Sequence, residues 1–345
     1  MRRISRQPKH LKEGGDKVKK ILFVLLAVGL ALSVVLIGCT QPAKEPGVYK
    51  IGIVQFGTHP ALDSCLAGFL ARMTELAGSA DITYIQRNAE FDFSLAATIA
   101  QSFVAEDVDL IFSIATPTTQ ACAEAVKGTN IPVVFAAVTD PVAAGFAESW
   151  EKPGGQVTGA SDWADVEAQV QLGMDIYHAD RLGVIYNAGE VNSVVQIDVL
   201  KAAKGRLGIT EIVEATASST ADVYAAAQSL VGRVDAIWVP SDNTVAGAIA
   251  SVVTVCEEND IPLYSSDVGM ARQGAISGAG LDYFVNGQTA AELAIRILLE
   301  GEDPGDIPIA TTPMTIIYLC PAAAERMGVT IPPEVLARAT EVCEE

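Results

Sequence analysis

Val108–Asp109–Leu110–Ile111–Phe112–Ser113 runs into Ala115–Thr116–Pro117–Thr118–Thr119, and Ile131–Pro132–Val133–Val134 follows. Further along, Val234–Asp235–Ala236–Ile237–Trp238–Val239 runs into Pro240–Ser241–Asp242–Asn243–Thr244, and Ile261–Pro262–Leu263–Tyr264 follows. Each copy is a short apolar, β-branched run, a polar turn, an alanine-rich helical stretch and a second run introduced by Ile-Pro. That order predicts strand, loop, helix and parallel strand, the crossover unit of an α/β sheet. The copies span 23 and 27 residues and lie 126 residues apart, so the sequence predicts two lobes on one plan. Ligands of such sheets sit beyond the carboxyl ends of the strands. Thr116–Thr119 and Ser241–Thr244 occupy those ends, which points to a cleft between the lobes.

Composition narrows the partners. A chain of 345 residues, half of them hydrophobic, has room for two domains with sizeable cores. Its formal charge of −19 is uneven: residues 1–38 carry eight Lys/Arg and two Asp/Glu, a net +6, which leaves −25 for the rest. Phosphate backbones need a basic face, so nucleic acid is excluded as a partner.

The leader is basic up to Lys20, apolar from Ile21, and ends in Leu36–Ile37–Gly38–Cys39. That is the layout of a secretory signal over 1–38. Leu-Ile-Gly-Cys resembles the lipobox of bacterial lipoproteins, which implies lipidation of Cys39 and a membrane anchor on the extracytoplasmic face. Residues 39–48, with Pro42 and Pro46, read as a tether. The periodicities beyond it give a first lobe over 49–160, a second over 161–280, and a segment 281–345 that crosses between the lobes and completes both. Val157–Ala160 is expected to cross towards the second lobe. Helices are expected over Ala61–Ala77, Gln288–Leu299 and Glu334–Val342, and a small strand over Gly274–Gly278. Five cysteines remain after Cys39, an odd number, so at least one is unpaired within the chain. Cys65, Cys122 and Cys256 fall on alanine-rich helical stretches, as buried small hydrophobes do.

The strand ends supply the candidate ligand contacts: Gln55, Phe56 and His59; Thr116, Pro117, Thr118 and Thr119; Thr139 and Asp140; Asp162; then Tyr186, Asn192 and Ser193; Ser241, Asp242 and Asn243; and Asp267. Thr116–Thr119 and Asn192–Ser193 stand at predicted helix N-termini, where N–H groups and hydroxyls suit a carboxylate. The aspartates suit an ammonium, and Phe56, Tyr186 and Trp238 suit an apolar or aromatic side chain. The set fits a zwitterion with a hydrophobic side chain. Ser, Thr, Asp and Asn in these places also serve as plain helix caps. No Gly-x-Ser-x-Gly, Walker or Gly-x-Gly-x-x-Gly motif is present, and no Cys/His set has metal-ligand spacing. The expectation is a binding protein with no metal, no cofactor and no catalytic residues.

Several of these loops carry a resemblance. Gln55–Phe56 with His59–Pro60–Ala61–Leu62–Asp63, Ala115–Thr116–Pro117, Val134 to Pro141, Tyr186 to Ser193 and Val239 to Thr244 together resemble the substrate-binding lipoproteins of ABC importers, tryptophan/tyrosine type. The similarity runs in the same order from Lys50 to Arg326, with Ala188 departing from the Pro common after Asn. It implies two Rossmann-like lobes with parallel sheets in a type I periplasmic-binding architecture, which close by hinge bending on a small amino acid, aromatic in several members. It also implies an ABC permease as partner and a monomeric receptor. A branched aliphatic amino acid, another small solute, or an extracellular sensor role are the alternatives.

Overall fold

Val48–Gln55 (β1) opens a six-stranded sheet that the computed structural model, describing residues 47–344, builds from Asp81–Asn88 (β2), Leu110–Ile114 (β3), Val133–Val138 (β4), Val157–Ser161 (β5) and Ala310–Thr311 (β11). Its order is β11-β5-β4-β3-β1-β2 and every pair is parallel. β3 and β4 are buried along their whole length, as continuous apolar strands are when helices cover both faces of a parallel sheet. Those helices include α1 (Pro60–Leu76), α2 (Phe93–Ala105) and α3 (Thr116–Ala125). Leu62, Cys65, Phe69 and Met73 recur at helical spacing on the buried face of α1.

The second sheet holds Arg181–Tyr186 (β6), Glu211–Thr216 (β7), Ala236–Val239 (β8), Leu263–Ser265 (β9), Ser277–Leu281 (β10), Met314–Leu319 (β12) and Glu341–Val342 (β13). Its order is β13-β12-β10-β9-β8-β6-β7, parallel except where β12 runs against β10. Val166–Ile176 (α4), Val191–Ala203 (α5), Val223–Gln228 (α6), Asn243–Ala246 (α7), Ile249–Glu258 (α8) and Val268–Arg272 (α9) belong to this lobe. So do Pro321–Arg326 (α11) and Pro333–Leu336 (α12) near its end. Two separate hydrophobic cores result, one under each sheet.

Tyr283–Leu298 (α10) returns to the first lobe and lies along α1. The two helices approach closely because glycines meet backbone: a Cβ on Gly68 would stand 2.0 Å from the Phe284 carbonyl oxygen, and one on Gly287 2.0 Å from that of Cys65. Asn286 is fully buried beside them. Its Oδ1 accepts from the Ala137 N–H at 2.9 Å, and its Nδ2 donates to the Ser161 carbonyl and the Thr312 hydroxyl, both at 3.0 Å. One amide thus pins β4, β5 and α10 together where the chain changes lobes.

The structure differs from the sequence expectations at several places. Residues 157–161 form a strand of the first sheet, and the crossing comes after Ser161. α10 begins five residues before Gln288, under an Asp282 cap whose carboxylate accepts from the Phe284 N–H at 2.9 Å. Glu334–Val342 is not one helix: α12 stops at Leu336, and β13 pairs with β12. Cys343 is disulfide-bonded to Cys320, while Cys65, Cys122 and Cys256 are free and buried. The leader, Cys39 and most of the tether lie outside the described residues. Among the described residues no helix is long and apolar enough to cross a membrane.

Candidate functional site

The carboxyl ends of both sheets face one another across a narrow cavity. Its walls are His59, Ala61 and Leu62 from the start of α1, Ala137 and Thr139 after β4, Asp162 after β5, and Tyr283 from α10. The second lobe adds Asn192, Ser241, Asp242, Asn243, Ala246 and Asp267. The cavity holds about 20 Å³ of space for the centre of a water-sized sphere, room for one or two small groups. His59 spans the lobes: its Nε2 lies 3.2 Å from Asn243 Oδ1. The Asn243 amide nitrogen is engaged elsewhere, so its oxygen faces the imidazole, which makes Nε2 the protonated nitrogen.

Behind this wall the second lobe carries a dense acidic network. Glu190, fully buried, takes the Asn243 N–H (3.1 Å) and Nδ2 (2.6 Å) on one oxygen, and the Thr244 N–H (2.9 Å) and hydroxyl (2.8 Å) on the other. It therefore occupies the N-terminus of α7, where N–H groups need acceptors. Asp242 caps the same helix through the Val245 N–H at 2.8 Å, and takes the Asn187 N–H and the Ser193 hydroxyl, each at 2.6 Å. Asp267 caps α9 through the Met270 N–H at 2.9 Å. Tyr283 donates its hydroxyl to Asp162 Oδ2 at 3.0 Å.

Burial governs the protonation of these groups. It raises the Asp162 carboxyl to about 6, against the pull of the Tyr283 hydroxyl, with Asp267 adding to the rise. Burial, followed by the charge of Glu190, also raises Asp242, and burial raises Asp267. His59 moves the other way: burial lowers it, although Asp267, Asn243, Glu190 and Asp63 pull it back. The imidazole is held neutral beside several carboxylates, and among the described residues no Lys or Arg lines the cavity.

Of the residues the sequence singled out, His59, Thr139, Asp162, Asn192, Ser241, Asp242, Asn243 and Asp267 line the cavity. The others do not. Gln55 donates to the Gly57 carbonyl and to Asp63, fixing the β1–α1 loop. Phe56 packs edge-on against Phe91 and Phe93. Thr118 and Thr119 turn their hydroxyls back onto the carbonyls of Ile114 and Ala115, Pro117 fills the first turn of α3, and the buried Thr116 hydroxyl has no partner. Asp140 caps its own turn through the Val142 and Ala143 N–H groups. Tyr186 bonds Glu214 at 2.7 Å, and Ser193 supports Asp242 from behind. Trp238 lies inside the second core, because all of β8 is buried.

Ala246, Ala137 and Tyr283 line the cavity without having been singled out in the sequence, and Phe91 stands behind His59. Tyr283 lies in the first turn of α10, and the Asp282 cap before it was the available signal. Ala137 has a left-handed backbone (φ 54°), which no residue type announced. Phe91, also left-handed (φ 61°), stacks near His59 with ring centroids 6.5 Å apart.

Two α/β lobes whose strand ends close on a buried polar cavity define a solute-binding protein of the type I periplasmic-binding architecture. The chain belongs to the ABC transporter substrate binding proteins, whose family model matches residues 50–343. It is 39% identical over 320 residues to the tyrosine-binding protein of Clostridioides difficile, covering 88% of this chain and 90% of that one. An ABC domain from Streptococcus pneumoniae in complex with L-Trp superposes with a TM-score of 0.81 at 32% identity, over 86% of this chain and 99% of that one. The ligand-free, open structure of a substrate-binding protein with adhesive properties from Clostridium difficile covers the same shares at 35% identity, with a TM-score of only 0.63. Similar sequence distance with different overlap puts the lobes here nearer the arrangement of the L-Trp complex. The family is one of binding proteins rather than enzymes.

Proposed function

We propose that the protein is a lipid-anchored extracytoplasmic receptor for an amino acid, aromatic in preference, which serves an ABC importer as a monomer and hands its ligand to a permease. The observation that carries the reading is the acidic, cation-free cavity between the lobes, together with relatives described as binding tyrosine or L-Trp. The first turn of α1 also reaches the cavity at Ala61 and Leu62, and His59 makes no side-chain cap there, so N–H groups suited to a carboxylate face the site. Leu62, Ala137, Ala246 and the Tyr283 ring supply the apolar part of the cavity wall. An aromatic amino acid is larger than the closed cavity, so the lobes part to admit it, and the ligand shifts the equilibrium only by its preference for the closed state.

The test is a melting-temperature screen of the full chain, unfolded and refolded to release any ligand carried through purification. At 100 times its dissociation constant a ligand adds about 2.7 kcal/mol. A shift with tyrosine, tryptophan or phenylalanine is the expected result. A shift with leucine or isoleucine alone removes the aromatic preference, and no shift with any amino acid removes the reading.

A further inference from the structure

The chain passes between the lobes at residues 161–166, 281–283 and 311–314, and one buried side chain reaches all three places. Asn286, 0% exposed, stands one helical turn past the second crossing and uses every hydrogen-bonding position of its amide. Its Oδ1 accepts from the Ala137 N–H at 2.9 Å and from the Cys65 thiol at 3.7 Å. Its Nδ2 donates to the Ser161 carbonyl, where the first crossing starts, and to the Thr312 hydroxyl in the third. A backbone N–H on one side and a carbonyl on the other fix which way the amide points. Asn286 is not part of the cavity wall, and neither is Thr312.

What the amide holds is the first-lobe wall. The β4–β5 register shifts between Ala136 and Val138, so Ala137 bulges out of the ladder with its left-handed backbone and reaches the cavity. Its N–H is lost to the sheet, and Asn286 takes it up. On the neighbouring strand the Ser161 hydroxyl donates to the Thr139 carbonyl and accepts from the Trp163 N–H, both at 2.9 Å. The wall positions Ala137, Thr139 and Asp162 are thus tied to one another through Asn286 and Ser161. Tyr283, which holds Asp162, lies three residues before Asn286 on the same face of α10.

We propose that Asn286 is the positioning residue of the hinge: its amide makes the three crossings flex as one unit and keeps the bulged wall of the first lobe in a single shape, without touching the ligand. A bond to only one crossing would serve the fold of the first lobe alone. Bonds to the start of the first crossing and to the middle of the third, from a helix that begins at the second, make each crossing feel the others. The affinity half of the test rests on the amino-acid reading, and the exchange half does not.

Hydrogen exchange read by mass spectrometry on the refolded full chain, without ligand, is the first measurement. Thr312→Val keeps the shape of the side chain and removes only the acceptor of one Asn286 N–H. The expected result is exchange faster by about threefold or more at all three crossings, with both cores unchanged. Faster exchange confined to residues 311–314 would make Thr312 a local contact and overturn the proposal. Titration calorimetry with L-tyrosine and L-tryptophan is the second. Thr312→Val should weaken the better ligand by about threefold or more and Asn286→Ala by about tenfold or more, although neither residue lines the cavity. Unchanged affinity beside a lowered melting temperature would reduce the amide to a clasp of the fold and overturn the proposal as well. Thr312→Val carries both measurements should Asn286→Ala fail to fold. Wild-type protein that binds neither amino acid would overturn the amino-acid reading, and the exchange pattern would still decide the role of Asn286.

Discussion

Asp162, Asp242, Asp267 and His59 share one small volume, and their protonation ties stability to pH in a window that can be worked out. Each aspartate holds its proton to a higher pH in the folded protein than in the unfolded chain, where an aspartate titrates near 3.9. The folded state therefore binds more protons, and stability falls as pH rises through about 6 for Asp162 and through the raised values of the other two. His59, lowered by burial, works in the opposite sense and removes stability as pH drops below about 6.5. Between pH 8 and 6.5 the Asp242 carboxyl, raised by burial to about 8, takes up its proton in the folded state only, so the melting temperature of the ligand-free protein should rise as the pH is lowered across that range. The charges of Glu190 and Asp63 pull His59 back up, and Tyr283 donates its hydroxyl to Asp162. Calorimetry at closely spaced pH values reads it, and a melting temperature that falls over that interval would contradict the assignment. At this scale the sequence was informative about residue types and less so about direction. Asp162 and Asp267 were visible as acidic groups at strand ends, whereas the Thr118 and Thr119 hydroxyls bond back to carbonyls one helical turn earlier, a side-chain rotamer that residue type alone does not report.

Gly247, just past α7, marks where the elements of the two lobes touch. A Cβ there would stand 2.6 Å from the Phe91 ring, and that ring already fills the space over Gly57 in its own lobe. Phe91 cannot retreat, so Gly247→Ala should hinder closure more than folding. The expected outcome is amino-acid affinity weakened by about tenfold or more, with the melting temperature of the ligand-free protein within ~2 °C of wild type. Small-angle scattering with saturating ligand should show the variant more extended than wild type; equal compaction would sink the idea. At the far end of the second lobe, the Cys320–Cys343 bridge closes a loop with a sequence separation of 23 and ties β13 beside the end of β12. Cys343→Ser should cost about 3 kcal/mol, read as a lowered denaturant midpoint under oxidising conditions. Wild type with reductant should match the variant. Elements were legible wherever apolar spacing was long, as in α1 and β3. They were not where chain direction or pairing decided: β5 contains Gly159 and looked like a link, and the first turn of α10 lacks the apolar stripe that its later turns carry.

Three crossings, at residues 161–166, 281–283 and 311–314, bind the lobes into one molecule. The two-lobed plan was readable from the repeated strand–loop–helix–strand unit, because that pattern depends on local periodicity. The tightness of the closed cleft was not, because it arises from packing between residues more than a hundred positions apart, as in His59 with Asn243. A fragment of residues 47–161 contains five of the six strands of the first sheet but lacks α10, Asn286 and β11. It leaves the glycine face of α1 bare and the Ala137 N–H without its acceptor. Such a fragment should show no cooperative thermal transition by circular dichroism, while a fragment pair that supplies 283–311 in trans should regain one. A sharp transition for the short fragment alone would show that the first core stands without its returning helix.

The return of α10 also sets the timing of synthesis. A ribosome that has finished β5 must add some 150 residues, Ser161 to Thr311, before the last strand of the first lobe exists. At about 5–20 residues per second that is roughly 8 to 30 s. Until those residues arrive the first lobe has no partner for the α1 face that α10 covers and none for the β5 edge. A holding chaperone that keeps the chain fit for export would find its target there.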